Sequence, residues 1–169
     1  MLNDSIEFSI VAQKVRDAFV GKVDKVSLLA GTQLFKLTDF ALIGGDGITP
    51  WWCFVRARRL PSGHIVDGFR MTEELSRRLG VPLGRYMKTM FAVGENLGRV
   101  PNQMRGILLT ELTADVWGFA GKASGQREFS DPKRNNVYLI GGGVQVWIPN
   151  LTKSHIRQIH AERLDLQPV

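Results

Sequence analysis

The chain has 169 residues, of which 44% are hydrophobic and 22% charged, and it carries a formal net charge of +6 at pH 7. This length fits one domain with a sizeable core and is short for two, and no segment reaches the roughly 18 apolar residues that a membrane span needs. The positive charge favours an anionic partner such as nucleic acid, a phosphate-bearing cofactor or a membrane surface, although the arginine groups at 56–60 and 76–80 also fit ordinary solvated faces.

The first predicted element is a helix over residues 1–21. Val11, Val15 and Phe19 lie at helical spacing, and Gly21 is a typical stop signal. The same segment contains acidic residues and no basic stretch before an apolar core, so we expect no Sec-type signal peptide, while export by a non-Sec system stays open.

Two strands are predicted next, in "TQLFKLTDFALI" at 32–43 and "ITPWWCFVRARRL" at 48–60, joined by a glycine-rich turn at 44–47. Adjacent residues on a strand point to opposite faces, so one of Trp51 and Trp52 can lie in the core while the other lines a cleft. An indole in a cleft could stack on nicotinamide, adenine or a nucleobase, and burial of both indoles is the alternative.

Cys53, in the apolar stretch "WWCFV", is the only cysteine. It cannot form an internal disulfide, which fits a reducing compartment. A buried core role is the more common one for such a residue, and a catalytic thiol with a distant histidine is the alternative. Because the three histidines and Cys53 lack ligand-pair spacing, we predict no metal site.

A helical insertion is predicted at about 70–93. "MTEELSRRLG" combines a capping residue, Thr72, with acids in the first turn, arginines in the last and a terminal glycine. After it, "GILLTEL" at 106–112 suits either a buried strand or a short helix, and Glu111 is a lone acid within it. The polar stretch at 122–136 predicts a loop.

Three glycines at 141–143 precede the strand "VQVWIP", which carries one amide, Gln145. The run lacks the Gly-Lys-Ser/Thr of a P-loop and the G-x-G-x-x-G of a dinucleotide fingerprint. Without Cβ atoms, the backbone there permits either a tight bend or the close approach of a planar ligand, and both interpretations stay open.

A final helix is predicted at 152–163, with Asn150 or Thr152 as its cap. The order of helix, strands, helices, strands and helix favours an α+β fold over an alternating α/β sheet. We therefore predict a single α+β domain over 1–169, with the sheet core at 26–150.

Three of these segments together resemble the ADP-ribosyltransferase fold, the NAD-cleaving architecture of many bacterial toxins, over about residues 32–150. "LFKLTDF" is similar to the family's first strand, with Lys36 in place of the usual Arg or His. "GITPWWCFV" is similar to the second, with Thr49 as the small hydroxyl, and "GGGVQVWIP" is similar to the last, with Gln145 near the place of the catalytic acid. The resemblance implies a split, mainly antiparallel sheet that forms a cleft, with packing helices.

Gln145 stands where transferases of this family have Glu, so the necrotising NAD glycohydrolases, which use a glutamine in a glycine-rich context, are the closer parallel. A lysine at position 36 would contact a pyrophosphate as a point charge instead of a planar fork. The resemblance thus implies a site with NAD as substrate and no other cofactor, in which Gln145 and Glu111 are catalytic. Its implied NAD-binding residues are Lys36, Thr38, Thr49, Trp51, Trp52, Gly142 and Gly143.

The function that this resemblance implies is that of a NAD-cleaving toxin or effector acting in the cytoplasm, with a cognate immunity protein as an expected partner. Hydrolysis of the nicotinamide–ribose bond and ADP-ribosyl transfer to a macromolecule are the two enzymatic alternatives. A third reading, from another class, is a basic non-enzymatic module that binds nucleic acid or an acidic protein, whose binding would weaken steeply with salt.

Overall fold

The computed structural model describes residues 1–39, 49–93, 104–128 and 138–164, and it confirms the predicted α+β class. Every strand pairing of its main sheet is antiparallel. The strands are β1 (Phe19–Leu28), β2 (Gln33–Asp39), β3 (Trp51–Phe54), β4 (Arg58–Arg59), β5 (Ile65–Val66), β6 (Met104–Leu112), β7 (Val116–Ala123), β8 (Gln126–Arg127), β9 (Tyr138–Leu139), β10 (Val144–Trp147) and β11 (Ile156–Arg163). The helices are α1 (Gln13–Arg16), α2 (Gly68–Leu79) and α3 (Leu83–Met90), with short 3-10 helices at Phe8–Ile10 and Lys153–His155.

The main sheet has seven strands within the described residues, in the order β1-β7-β10-β3-β2-β6-β11. The short central strand β3 is shared unequally between its neighbours. Trp51 and Trp52 pair with β10, whereas Cys53 and Phe54 pair with β2. Within the described residues β2 has no pairing with β3 beyond Phe35, so the sheet splits between these two strands.

Alternation along β2 and β3 divides the core between two faces of the sheet. Leu34, Trp52 and Phe54 belong to one buried cluster, together with residues of β1, β7 and β10. Phe35 and Cys53 belong to the other, which is covered by apolar side chains of α2, of α3 and of the residue after α3, among them Phe69, Met87 and Phe91. Burial of each large apolar side chain contributes roughly 1.5–3 kcal/mol to the free energy of unfolding, so the two clusters stabilise both faces of the sheet.

The helical insertion predicted at about 70–93 is occupied by α2 and α3. Gly80 ends α2 in the left-handed conformation, at φ 65°, where a glycine has no Cβ to strain. Thr72, predicted as the cap, instead lies inside α2, which begins four residues earlier at Gly68, and its hydroxyl donates to the Gly68 carbonyl at 2.7 Å.

The predicted helix over 1–21 is wrong. The segment forms a 3-10 turn and the single-turn α1, and β1 already begins at Phe19. Gly21, at φ 76°, lies inside β1 where the register with β7 shifts between Val20 and Asp24. Pairing with β7 buries Phe19 and supplies backbone partners, and this tertiary gain outweighs the helical spacing of the apolar residues.

The predicted helix over 152–163 is also wrong, because residues 156–163 form the edge strand β11, paired with β6. The predicted cap exists: the Thr152 side chain and His155 form a capping box, but the helix ends after one 3-10 turn. Most of β11 is exposed on both faces, so its sequence lacks the alternation that would indicate a strand.

The segment 106–112, left open between strand and helix, belongs to β6. The predicted turn at 44–47 and the part of the predicted loop at 129–136 lie outside the described residues. No helix of the described residues is both long enough and apolar enough to cross a membrane.

Candidate functional site

A cavity of about 710 Å³ opens at the split between β2 and β3. Six segments line it: the stretch around α1, strands β2, β3 and β10, the end of α3 and the residues that follow β7. Cavities of roughly 300–1,000 Å³ are typical of small-molecule sites. The fold and the cavity together define a single α+β domain with a ligand-sized site at the break in its sheet.

The cavity brings together most of the residues that the sequence singled out. Those that line it come from β2, from β3 with the residues just before it, and from β10. They are Lys36, Thr38, Thr49, Trp51, Trp52 and Gln145.

Lys36 places a buried amine in this cavity. Its side chain donates to Thr49 Oγ1, its Nζ lies 4.7 Å from the centroid of the Trp52 ring, and the residue is only 7% exposed. Burial lowers the pKa of Lys36 from 10.5 to about 8, an effect that the neighbouring Cys53 thiol opposes. The Trp52 indole face favours the charged form through a cation–π contact. The resulting pKa of about 8 lies much closer to neutral pH than that of an ordinary lysine.

Cys53 lines the same cavity and is itself buried. Burial raises the pKa of this thiol, and the Lys36 ammonium opposes the shift. A thiol that stays protonated at neutral pH is a poor nucleophile. The geometry therefore fits the core role of Cys53 better than the catalytic one.

The two tryptophans point to opposite faces of the sheet. Trp52 is in the core at 1% exposure, and its indole N–H has no hydrogen-bond partner among the described residues. Trp51 is half-buried and packs against Phe19 and Trp147, with ring centroids 5.4 and 6.3 Å away. A buried N–H without an acceptor costs about 1–3 kcal/mol, which makes Trp52 a candidate donor to a bound ligand.

Gln145 is fixed at one end of its amide. Its Nε2 donates to the Ala18 carbonyl at 3.0 Å, whereas its amide oxygen has no partner among the described residues. Opposite it on β7 is Gly121, where a Cβ would lie 3.1 Å from the Lys22 carbonyl oxygen and from the Phe19 ring. The glycine lets β1 pack closely there, and no side chain on that partner residue competes with Gln145 for space.

The glycine run approaches a helix instead of the cavity. The N–H groups of Gly141 and Gly143 donate to the carbonyls of Thr89 and Met90 at the end of α3, each at 2.9 Å. A Cβ on Gly143 would lie 2.6 Å from the ring of Phe91. Neither Gly142 nor Gly143 lines the cavity, but Phe91 does, so the run positions one of its walls.

Glu111 is not brought to the cavity either. It lies on β6 opposite Arg157 of β11, and the two side chains form an ion pair. Because β2 separates β6 from β3, this carboxylate lies on the outer side of the half-sheet.

Several lining residues were missed from the sequence. Asp17, Phe91, Ser124 and Gln126 line the cavity, and Asp17 is the one carboxylate among its described lining residues. Asp17 directly precedes Ala18, whose carbonyl holds Gln145. The predicted helix over this segment gave no reason to expect Asp17 at the site, and no local motif marks Phe91, Ser124 or Gln126.

A buried ion cluster lies behind this wall. Lys88 of α3 is fully buried and lies 2.9 Å from Glu128, which Arg85 contacts at 3.3 Å. Nearby, the Gln126 side chain donates to the Ala92 carbonyl just after α3. These contacts join the end of α3 to the residues after β7, both of which line the cavity.

No protein-family model matches the chain, and no curated protein sequence matches it significantly. Among solved structures it is similar to "Rhs1-CT in complex with cognate immunity protein RhsI1", with 14% identity, a TM-score of 0.52, and coverage of 88% of this chain and 86% of that one. It also matches "Structure of Tne2 in complex with Tni2" at 12% identity and a TM-score of 0.47, with 89% and 100% covered. The first similarity shows that this chain and Rhs1-CT share a fold.

Proposed function

We propose that the chain is a toxin effector domain that binds NAD in the cavity and hydrolyses its nicotinamide–ribose bond. The observation that carries the proposal is the meeting of an amine, a hydroxyl, two indoles and an amide, from three sequence segments, in one ligand-sized cavity. The shared fold with Rhs1-CT, which occurs in complex with a cognate immunity protein, supports the toxin class.

The chemistry needs little from the protein in the way of proton transfer. Nicotinamide leaves NAD as a neutral molecule, and the ribose passes through an oxocarbenium-like state, so a general acid is unnecessary. The protein contributes by ordering the ribose, by excluding bulk water and by hydrogen bonds that strengthen as charge develops.

Each polar group has a role in this scheme. The unpaired amide oxygen of Gln145 accepts a hydrogen bond from a ribose hydroxyl or from the attacking water, and the bond to Ala18 fixes its direction. Trp51 stacks on a ring of the substrate, and the Lys36 ammonium meets a pyrophosphate oxygen. The Asp17 carboxylate, next to Ala18, stabilises the developing positive charge.

Hydrolysis is preferred over transfer because Gln145 stands where transferases carry Glu. Incubation of the purified protein with NAD is expected to release nicotinamide, and Gln145→Ala is expected to lower the turnover rate by about 100-fold, the scale of losing one oriented hydrogen-bonding group in an active site. Gln158→Ala is a matched control, because Gln158 is exposed on β11 away from the cavity. Absence of nicotinamide release by the wild type, or full turnover by Gln145→Ala, would contradict the proposal.

Label in the adenosine part of NAD distinguishes the two enzymatic outcomes. It stays in a small product after hydrolysis and appears on a macromolecule after transfer. Synthesis of the wild-type chain in a bacterial cytoplasm is expected to arrest growth, whereas Gln145→Ala does not. A producing cell then needs an inhibitor, so a cognate immunity protein is the partner we propose, with delivery by a non-Sec route.

A further inference from the structure

Lys36 combines three features that seldom occur together in a lysine. Its side chain is almost completely buried, it lines an open cavity, and it has no ion pair with a carboxylate among the described residues. Its hydroxyl partner, Thr49, is exposed, so the amine lies directly behind the surface of the opening. A small molecule that enters the cavity can therefore reach Nζ.

The neutral form of this amine is abundant at moderate pH. With a pKa of about 8, half of the Lys36 side chains are uncharged at about pH 8, whereas an ordinary lysine with a pKa of 10.5 is then only about 0.3% uncharged. The neutral amine is the nucleophile in Schiff-base chemistry. Desolvation in an apolar pocket is one of the recognised ways to activate a lysine for it.

We infer that Lys36 is a covalent binding site for aromatic aldehydes. The lone pair of Nζ attacks the aldehyde carbon, and the resulting carbinolamine loses its oxygen with two protons as water, leaving a C=N bond between Nζ and the former carbonyl carbon. No oxidant or reductant is involved. The inference goes beyond the proposed function, since the reaction requires neither NAD nor Gln145.

The walls of the cavity favour an aromatic ring over an aliphatic one. Trp51, Trp52 and Phe91 all line it, and Trp52 already stacks beneath the amine. Offset contacts between rings contribute about 0.5–1.5 kcal/mol beyond the area they bury. An aromatic aldehyde held against these rings presents its carbonyl group to Nζ.

Pyridoxal 5′-phosphate, followed by reduction with sodium borohydride, tests the inference in the full wild-type chain. The hydride converts the imine to a stable secondary amine, and peptide mass mapping then locates the added mass. Lys14 is a matched internal control, because it lines the same cavity but is exposed. At about pH 8, Lys36 is expected to be labelled at least about tenfold faster than Lys14, because half of the Lys36 amines are uncharged at this pH. Labelling of Lys14 at an equal or higher rate would overturn the inference.

The pH profile supplies a second readout that simple accessibility would not produce. Labelling of Lys36 is expected to rise up to about pH 8 and then level off, so its profile should differ from that of the exposed Lys14. Lys36→Arg retains a cation that cannot form an imine, and it should remove the fast phase. Parallel profiles for the two lysines, or a fast phase that persists in a folded Lys36→Arg protein, would overturn the inference; if that variant does not fold, the wild-type comparison decides alone.

Discussion

Lys36 keeps an amine at a position where an apolar side chain of similar length would cost less free energy. The pKa of this group is about 8 in the folded chain and near 10.5 when it is unfolded, so the unfolded state binds more protons between these values. Stability therefore rises with pH from about 8 to about 10.5, and the full penalty, about 3 kcal/mol, applies below pH 8.

We expect Lys36→Met to be more stable than the wild type at neutral pH, by about 1–3 kcal/mol, because it removes this penalty while losing the contact with Thr49. The difference should shrink towards about pH 10.5, and nicotinamide release should fall. Urea unfolding at several pH values measures the first effect. Lys14→Met, at an exposed position, should change the free energy of unfolding by little. A Lys36→Met protein less stable than the wild type at neutral pH would contradict the assignment of a buried, unpaired amine.

Much of the site at this scale could be predicted from short sequence patterns. Lys36 and Thr49 were identified through the family resemblance of their segments, whereas Gln145 also stood out as the one amide in an apolar strand, where a polar group needs a reason. Glu111 is also a polar residue in an apolar strand, but it lies outside the cavity, where it pairs with Arg157. Arg157 belongs to β11, which the sequence does not predict as a strand. An ion pair between segments far apart in the chain produces no recognisable local sequence pattern.

The elements around the cavity are held together by backbone and charge contacts between α3 and the strands that follow it. The glycine run donates to the last carbonyls of α3, and Glu128 joins Lys88 and Arg85 behind it. These contacts define the role of the three glycines, for which the sequence allowed either a tight bend or contact with a ligand. They bring a strand against the end of α3, and the residues just after that helix line the cavity.

Glu128→Gln is expected to lower the free energy of unfolding by about 2–4 kcal/mol, because it removes a carboxylate charge that contacts the fully buried Lys88. Glu74→Gln is the matched control: Glu74 pairs with Arg77 and Arg78 along α2, and both arginine side chains are largely exposed. That change should cost no more than about 0.5 kcal/mol. Equal losses in the two variants, measured by urea unfolding, would show that the Glu128 contact carries no special weight.

Element types were predicted well where local signals and packing agree, and poorly where they conflict. The arginines in the last turn of α2 and its terminal glycine act within one helix, so the insertion was visible from its sequence. At both ends of the chain, helical signals give way to the backbone hydrogen bonds of β1 and β11 with distant strands. Those bonds belong to the sheet as a whole, and single-segment patterns cannot report them.

At the scale of the whole molecule, Asn3 joins the N-terminal segment to the segments that contain Trp117 and Pro149. The Asn3 side chain donates to the carbonyls of Trp117 and Pro149 at 3.0 and 2.7 Å, and it accepts from Asn150 at 3.0 Å. Asn3 is buried and has φ 67°, a conformation that asparagine and glycine tolerate better than most residues. The chain that continues from this anchor supplies Asp17 and Ala18 to the cavity.

Asn3→Gly should preserve this backbone conformation and remove only the side-chain bonds, so we expect a loss of about 2–3 kcal/mol together with weaker NAD binding. Asn150→Gly, also at positive φ but exposed, loses one bond and should cost less than about 1 kcal/mol. Thermal unfolding with and without NAD measures both effects. An Asn3→Gly protein that binds NAD as tightly as the wild type would show that the anchor does not support the cavity.

The bonds that complete this cavity also set the order in which the chain can acquire its structure. Gln145 meets Ala18 across 127 residues of chain, and Asn3 meets Pro149 across 146. Contacts of such separation form late and make folding slow, because long loops must close first. On the ribosome, a nascent chain has no assembled cavity until β10 has left the exit tunnel, so synthesis itself delays the appearance of any activity that the cavity supports.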